Sequence, residues 1–371
     1  MKRNLIVVGI VIATLTVFGF SKTKPKQLQK NEPALRIGIS LPLTGSIAHL
    51  GESARRGIEF AYEERQKNNP KPGVEYFFED NAFDAKTAVS AYQKLKANGE
   101  LAAIITASSP ASLATHPLAK ADNLFQMAIF ASVSEYSTPN DLSFRVHSRA
   151  EKEVQAIIGY LEKHSVQRLG VIYINNDYGK SVFDALKKKL SSDKFAGTES
   201  FLPNENDFRT HLAKIKGSKP DVLLMVGAAS HVVSILRQSS GMDFKPNFLA
   251  SASALDPETL KVAGDYTTGL VLPDMFDEES ANQETKAFVD SFKQKYGLLP
   301  DMFAAQGYEA ARLTVSALEK CGRNGECVKS YLFNLKDYPS ILGNLAFDSN
   351  GDPDFDYFMK IFRNGKFERL E

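Results

Sequence analysis

The sequence predicts an α/β protein of two doubly wound lobes, and three observations carry that prediction. Short apolar runs alternate with helical patterns, the signature of βα units feeding a parallel sheet. The alternation comes in two series, parted near Phe144-Arg145-Val146-His147. The chain has 371 residues, more than one ordinary domain holds. Open parallel sheets need helices on both faces and take ligands at the carboxyl ends of their strands.

Each element follows from local pattern. Arg36 to Leu41 reads as the first strand. The next helix carries Ala54, Gly57, Ile58, Ala61 and Tyr62 on one apolar face. Val74 to Phe78 is a strand running into Glu79-Asp80-Asn81, and Asp84 caps a helix with Ala85, Ala88, Val89 and Tyr92 on one side. Ala102 to Ile105 is a buried strand, followed by a helix with Ser109 as cap and Pro110 in its first turn. Gln126 to Phe130 closes the first series. The second has helices near Glu151–His164, Val182–Leu190, Phe208–Ile215 and His231–Gln238. Its strands are Leu169–Ile174, Thr198–Phe201, Val222–Val226, Phe248–Ala250 and Gly269–Leu272. Asn282 to Leu335 reads as helical, and Tyr357 to Phe362 as a final strand.

Composition bounds the function. With 45 basic and 44 acidic residues the formal net charge is +1, so the basic excess of a nucleic-acid binder is missing. Lys2-Arg3 followed by the apolar run Leu5–Phe20 has the form of an export signal and is short of the roughly 20 residues of a spanning helix. Phe18-Gly19-Phe20-Ser21 makes a poor cleavage site, so an uncleaved membrane anchor is the alternative. Lys22 to Pro33 reads as a tether. The only cysteines, Cys321 and Cys327, sit in a Gly-containing loop and are expected to pair in an oxidising compartment, two free thiols being the alternative.

Cofactor and catalytic motifs fail on inspection. Gly179-Lys180-Ser181 lacks the glycine five positions earlier that a phosphate loop needs, since Ile174 stands there. No dinucleotide fingerprint follows the first strand, and the six histidines lack metal spacing. Asp348 to Asp352 misses the glycine and glutamate of a calcium loop and reads as a polar turn. No cofactor, no metal site and no nucleophile–base–orienter set is expected, which argues against an enzyme.

From Arg36 to Phe367 the order of motifs resembles the type I periplasmic solute-binding proteins, close to the branched-chain amino-acid (leucine/isoleucine/valine) group. The pieces include Pro42-Leu43-Thr44-Gly45, Glu79-Asp80-Asn81, Asn176-Asp177-Tyr178-Gly179, Lys219-Pro220-Asp221, Tyr308-Glu309-Ala310 and Phe347-Asp348. The resemblance implies a Venus-flytrap fold with a three-crossing hinge that closes on a small molecule. It further implies a periplasmic monomer that delivers its ligand to an ABC permease in the inner membrane. A periplasmic sensor that presents the ligand to a signalling partner is the alternative. The expected layout is a leader and tether over 1–33, lobe I from 34–147 plus 274–355, and lobe II from 148–273 plus 356–371.

The same resemblance supplies candidate ligand contacts. Ser108, Ser109 and Ser112 match the first carboxylate-holding loop, and Ser137 matches the threonine of the second. Independently of the family, a serine at a helix N-terminus presents N–H groups and the positive dipole end to an anion. Tyr178 matches a pocket tyrosine, Phe303 an aromatic that packs on the ligand side chain, and Ser251 flanks the loop of the ammonium-binding acid. That acid is replaced by Ala252, and two family tyrosines fall on Leu50 and Ala228. The acid near the first hinge falls on Ala150, with Glu151 adjacent as a substitute. A buried ammonium without a carboxylate is costly. The expected ligand is therefore a carboxylate or polar molecule without an α-amine, in a roomier and less charged pocket, rather than leucine, isoleucine or valine.

Overall fold

The computed structural model describes residues 34–68, 73–335 and 338–370. The expected leader and tether, residues 1–33, lie outside them. The described chain forms a two-lobed α/β fold built on two sheets. The first sheet contains β1 (Leu35–Leu41), β2 (Val74–Asp80), β3 (Ala103–Ala107), β4 (Phe125–Ile129) and β5 (Ser143–Arg145). Its order is β2-β1-β3-β4-β5, and every pairing is parallel. The second contains β6 (Leu169–Ile174), β7 (Phe195–Phe201), β8 (Val222–Val226), β9 (Asn247–Ala250), β10 (Val271–Asp274), β11 (Phe358–Arg363) and β12 (Lys366–Arg369). Its order, β12-β11-β10-β9-β8-β6-β7, is parallel from β10 to β7 and antiparallel at β11 and β12. In each sheet the first strand sits one place in from an edge. The strand order therefore reverses at β1/β3 and at β6/β8, where open α/β sheets leave a crevice.

Eleven helices lie among the described residues, and their starts show what sequence capping signals can fix. Asp84 caps α2 (Ala85–Ala97) as expected, accepting from Thr87 N at 2.7 Å. The helix α5 (Asp177–Lys189) starts five residues before the expected Val182, because Asn176 caps it through Gly179 N at 3.0 Å. The helical stretch 282–335 resolves into three helices, α9 (Gln283–Tyr296), α10 (Met302–Cys321) and α11 (Gly325–Phe333). Gly297, with φ of 73°, ends α9 in the left-handed cap that glycine adopts freely. The single terminal strand is a hairpin, since Asn364 and Gly365 both take positive φ and turn β11 into β12. Cys321 and Cys327 are joined in a disulfide that ties the end of α10 to the first turn of α11.

The long buried helix α10 packs against α1 (Ala48–Asn68) and β4. Two glycines permit the approach: a Cβ on Gly57 would lie 2.0 Å from Ala304 O, and one on Gly307 2.3 Å from Ala54 O. The chain leaves the first sheet after β5 and enters α4 (Ala150–Lys163). It leaves the second after β10 to form α9–α11, and returns to it at β11.

The first and last of these connections are stitched together. Arg145, with no exposed surface, donates from Nε to Asp352 Oδ1 at 2.5 Å, and from NH1 to the carbonyls of Ala131 and Val133 at 2.8 Å each. Ser148 donates to Phe355 O at 2.8 Å and accepts from Phe355 N at 2.9 Å. A buried charge left without its partner is strongly destabilising, by roughly 3–5 kcal/mol. Asp352→Ala should therefore lower unfolding free energy by about that much in urea titrations; a loss below about 1 kcal/mol would show that the pair is not what holds these connections.

Candidate ligand-binding site

Strand ends from both sheets converge on one cavity. Ile47 and Leu50 follow β1, Phe83 follows β2, Ser108 and Ser109 follow β3, and Phe130 follows β4. From the second sheet come Ile174 at the end of β6, Tyr178 in the first turn of α5, Gly227 and Ala228 after β8, and Ala252 and Ser253 after β9. Met302 and Phe303 reach in from the start of α10, and Phe130 meets Phe303 edge to face at 4.8 Å. The volume open to the centre of a water molecule is about 30 Å3, so the site suits a compact ligand. Near it, His49 on α1 approaches Asp256, the N-cap of α8 (Pro257–Val262), to 3.2 Å across the cleft.

The polar groups on this apolar wall are few. Ser108 precedes α3 (Ser109–Ala121), is 1% exposed, and its Oγ has no hydrogen-bond partner in the protein. Its backbone, at φ 87° and ψ 150°, lies in a region that side chains other than glycine's avoid. Phe130 also has positive φ, 56°, and its N–H donates to Gln306 Oε1 at 3.0 Å. Held strain of this kind clusters where a backbone must present groups to a ligand.

Two buried titratable side chains face the same space. Glu153, from α4, accepts from Ala252 N at 2.8 Å and from Tyr178 Oη at 3.2 Å, and has no ion-pair partner among the described residues. Burial raises its carboxyl to about 7, with the two hydrogen bonds pulling the other way. His147 lies between Gln306, whose Nε2 is 3.0 Å from Nδ1, and Tyr357, whose Oη is 3.2 Å from Nε2. Burial, aided by the Arg145 charge, lowers its imidazole to about 3. Gln306 reaches Nδ1 with both ends of its amide, Nε2 at 3.0 Å and Oε1 at 3.2 Å. Both groups are driven toward their neutral forms.

Residues 34–362 match the sequence model of the periplasmic binding protein family. The chain belongs to that family. Among relatives, the Leu/Ile/Val-binding protein homolog 2 of Brucella abortus (strain 2308) is 25% identical over 344 residues, spanning 90% of this chain and 91% of that protein. Two solved structures share the fold. A branched-chain amino acid transporter substrate-binding protein from Streptococcus pneumoniae, solved with isoleucine, superposes with a TM-score of 0.83 at 22% identity, covering 90% of this chain and 98% of that one. An ABC-transporter solute-binding protein from R. palustris, solved with benzoate, gives 0.82 at 20% identity, covering 91% and 95%.

In this periplasmic binding protein, four of the sequence-derived candidates line the cavity: Ser108, Ser109, Tyr178 and Phe303. Leu50, Ala228 and Ala252, singled out as replacements of family groups, line it too. Ser109 is not the helix cap: it is the first residue of α3, and its Oγ accepts from Ser132 N at 3.1 Å. Ser112 is buried with its Oγ 2.9 Å from Thr106 Oγ, and Ser137 donates to Asp352 at 2.5 Å. Ser251 stands behind the wall, accepting from Gly227 N at 3.2 Å. Glu151 is partly exposed and accepts from Ser134 Oγ at 3.2 Å, away from the cavity lining. The acid that does face the cavity, Glu153, was legible from helical period. Ala150, Val154, Ile157 and Leu161 make the buried stripe of α4, and Glu153 falls on it while Glu151 does not.

Ser108→Gly should relieve backbone strain and stabilise the protein by about 1–2 kcal/mol, whereas Ser108→Ala, which keeps the strained backbone, should leave stability nearly unchanged. Urea unfolding of both variants checks this; destabilisation by Ser108→Gly would mean the backbone is not strained. A second expectation concerns pH. Because the folded-state carboxyl of Glu153 lies above its ordinary 4.5, its burial is favourable below that value and becomes a growing cost as pH rises through about 7. Glu153→Gln should therefore gain on wild type across this window, by at most roughly 3 kcal/mol, in unfolding titrations run from acid to neutral pH.

Proposed function

We propose that this chain is the exported solute-binding component of an ABC importer and captures a small carboxylate that lacks an α-amine. Lobe I would comprise 34–147 and 274–355, and lobe II 148–273 and 356–371, closing as a monomer in the periplasm and docking on an inner-membrane permease. Binding rather than catalysis is the reading that fits relatives named as binding proteins. The observation that carries it is the cavity at the carboxyl ends of both sheets, with the unpartnered Ser108 hydroxyl at the start of α3. An anion there meets a hydroxyl donor and the positive end of a helix dipole.

The amine half of an amino-acid site is thin. Ala252 and Ala228 offer no charge, and the one acid, Glu153, is already engaged by Ala252 N and Tyr178. A hydrogen bond to a charged group is worth roughly 1.5–3 kcal/mol, so its loss removes about one to two decades of affinity. Thermal shift and calorimetry should rank benzoate and isocaproate, which is leucine without its amine, above leucine, isoleucine and valine. A ligand at 100 times its dissociation constant adds about 2.7 kcal/mol, which a melting curve detects. Submicromolar binding of leucine would sink the assignment of ligand class.

A further inference from the structure

Glu153 is set apart from the other acids of the cleft. It lies at the one place where groups from both lobes and from the last connection converge, and its surroundings are neutral. From α5 comes the Tyr178 hydroxyl, and from the end of β9 come the Ala252 N–H and Ser253. From the last connection comes Tyr357, whose phenol is raised by burial and then by Glu153 itself. From the first comes His147, kept uncharged by burial, and across the cavity stand Ser108 and Ser109. Arg145 is committed to Asp352 and two carbonyls, and Arg149, at the N-cap of α4, also turns to Asp352, at 3.5 Å. Among the described residues no cation is paired with Glu153, and only two neutral donors, Ala252 N and Tyr178 Oη, favour its charged form. The two hydrogen bonds it accepts fix its position and leave its second oxygen, with only a 3.4 Å contact to Tyr178 Oη, lightly engaged.

We propose that Glu153 enters the ligand complex as a neutral carboxylic acid, donating its proton to an oxygen of an anionic ligand, so that capture above neutral pH, where free Glu153 is ionised, takes up a proton from solvent. This rests on the reading of the cleft as a carboxylate-binding site, and it names the residue that sets the ligand's charge. The chemistry follows from the site's dryness. Two carboxylates sharing a low-dielectric space cannot both stay ionised, and one holds the proton. An amine-bearing ligand would require the reverse, an ionised Glu153 and a proton released.

The test uses the mature protein, with benzoate and isocaproate as probes and leucine as the opposed probe. In infrared spectra at about pH 6, wild type should show the carbonyl stretch of a buried carboxylic acid. That band should be missing from Glu153→Gln and should grow when either anion is added at neutral pH. Calorimetry in two buffers of different ionisation heat should report net proton uptake, and affinity should fall by up to about tenfold per pH unit above neutrality. Glu153→Gln, always neutral and able to keep the Ala252 bond, should bind the anions with a flat pH profile. Anion binding without proton uptake, or with an ionised Glu153 in the complex, overturns this inference and leaves the carboxylate reading standing. Failure of both anions while leucine binds with proton release overturns both.

Discussion

The fully buried guanidinium of Arg145 organises the structure around the cleft. Three partners meet this charge through Nε and NH1: Asp352, brought in by the last connection, and the carbonyls of Ala131 and Val133, in the loop after β4. One side chain at the end of the first sheet thus fixes the loop that carries Phe130, the start of the first connection and the approach of the last. Asp348 holds the turn that delivers Asp352, accepting from Asn350 N at 2.8 Å and Asp352 N at 3.0 Å. The polar run 348–352 is a structural clasp. A hydrophobic substitute for Arg145 could fill the volume without fixing this register, which is the best-attested reason to keep a buried ion pair.

From that clasp a path of contacts leads into the cavity. His147 follows Arg145 by two residues and bonds Gln306 of α10 and Tyr357 of the last connection. Gln306 in turn accepts from Phe130 N and lies 3.5 Å from Met275, just past β10. One imidazole with one amide therefore touches all three connections and the cavity wall. A ligand that shifts Phe130 or His147 shifts a group shared by every strand of chain that passes between the lobes. This is a physical route by which occupancy and lobe angle can be linked, since hinge closure works through a few residues at element ends.

The sheets were legible because βα alternation is a strong, periodic signal, and Asp84 was legible because capping chemistry is local. Helical character over 282–335 is legible, while its division into three helices rests on the Gly297–Pro300 and Gly322–Asn324 breaks, with the apolar pattern on either side staying helical. Asn364-Gly365 is a hairpin signal, and it extends the strand-rich tail into the β11–β12 pair. The site was half legible. Ser108, Ser109, Tyr178 and Phe303 sit at loop–helix junctions that sequence order alone locates. Ser137, by contrast, is drawn away by Asp352, a partner 215 positions distant that no local pattern announces. Glu151 and Glu153 differ only in which side of α4 they occupy, and a fraction of a turn separates a partly exposed carboxylate from a buried acid.

That fraction of a turn decides the electrostatics of the cleft. Glu153 and His147 are an acid and a base that, in water, would carry opposite charges at mildly acidic pH. Here the same desolvation acts on both in opposite directions, lifting the carboxyl toward 7 and dropping the imidazole toward 3. Were they a mutual ion pair, each would instead have been held in its charged form. The wall thus presents apolar surface and neutral hydrogen-bonding groups, and the field that remains is that of backbone N–H groups at the start of α3. On the proposed reading, an anion would meet hydroxyl and N–H donors there, whereas a cation would have only Glu153, and only in its ionised form, to pair with. On that reading, the lack of a charged side chain at Ala228 and Ala252 and the raised carboxyl of Glu153 would act together, leaving a cation's charge unmatched rather than repelling it.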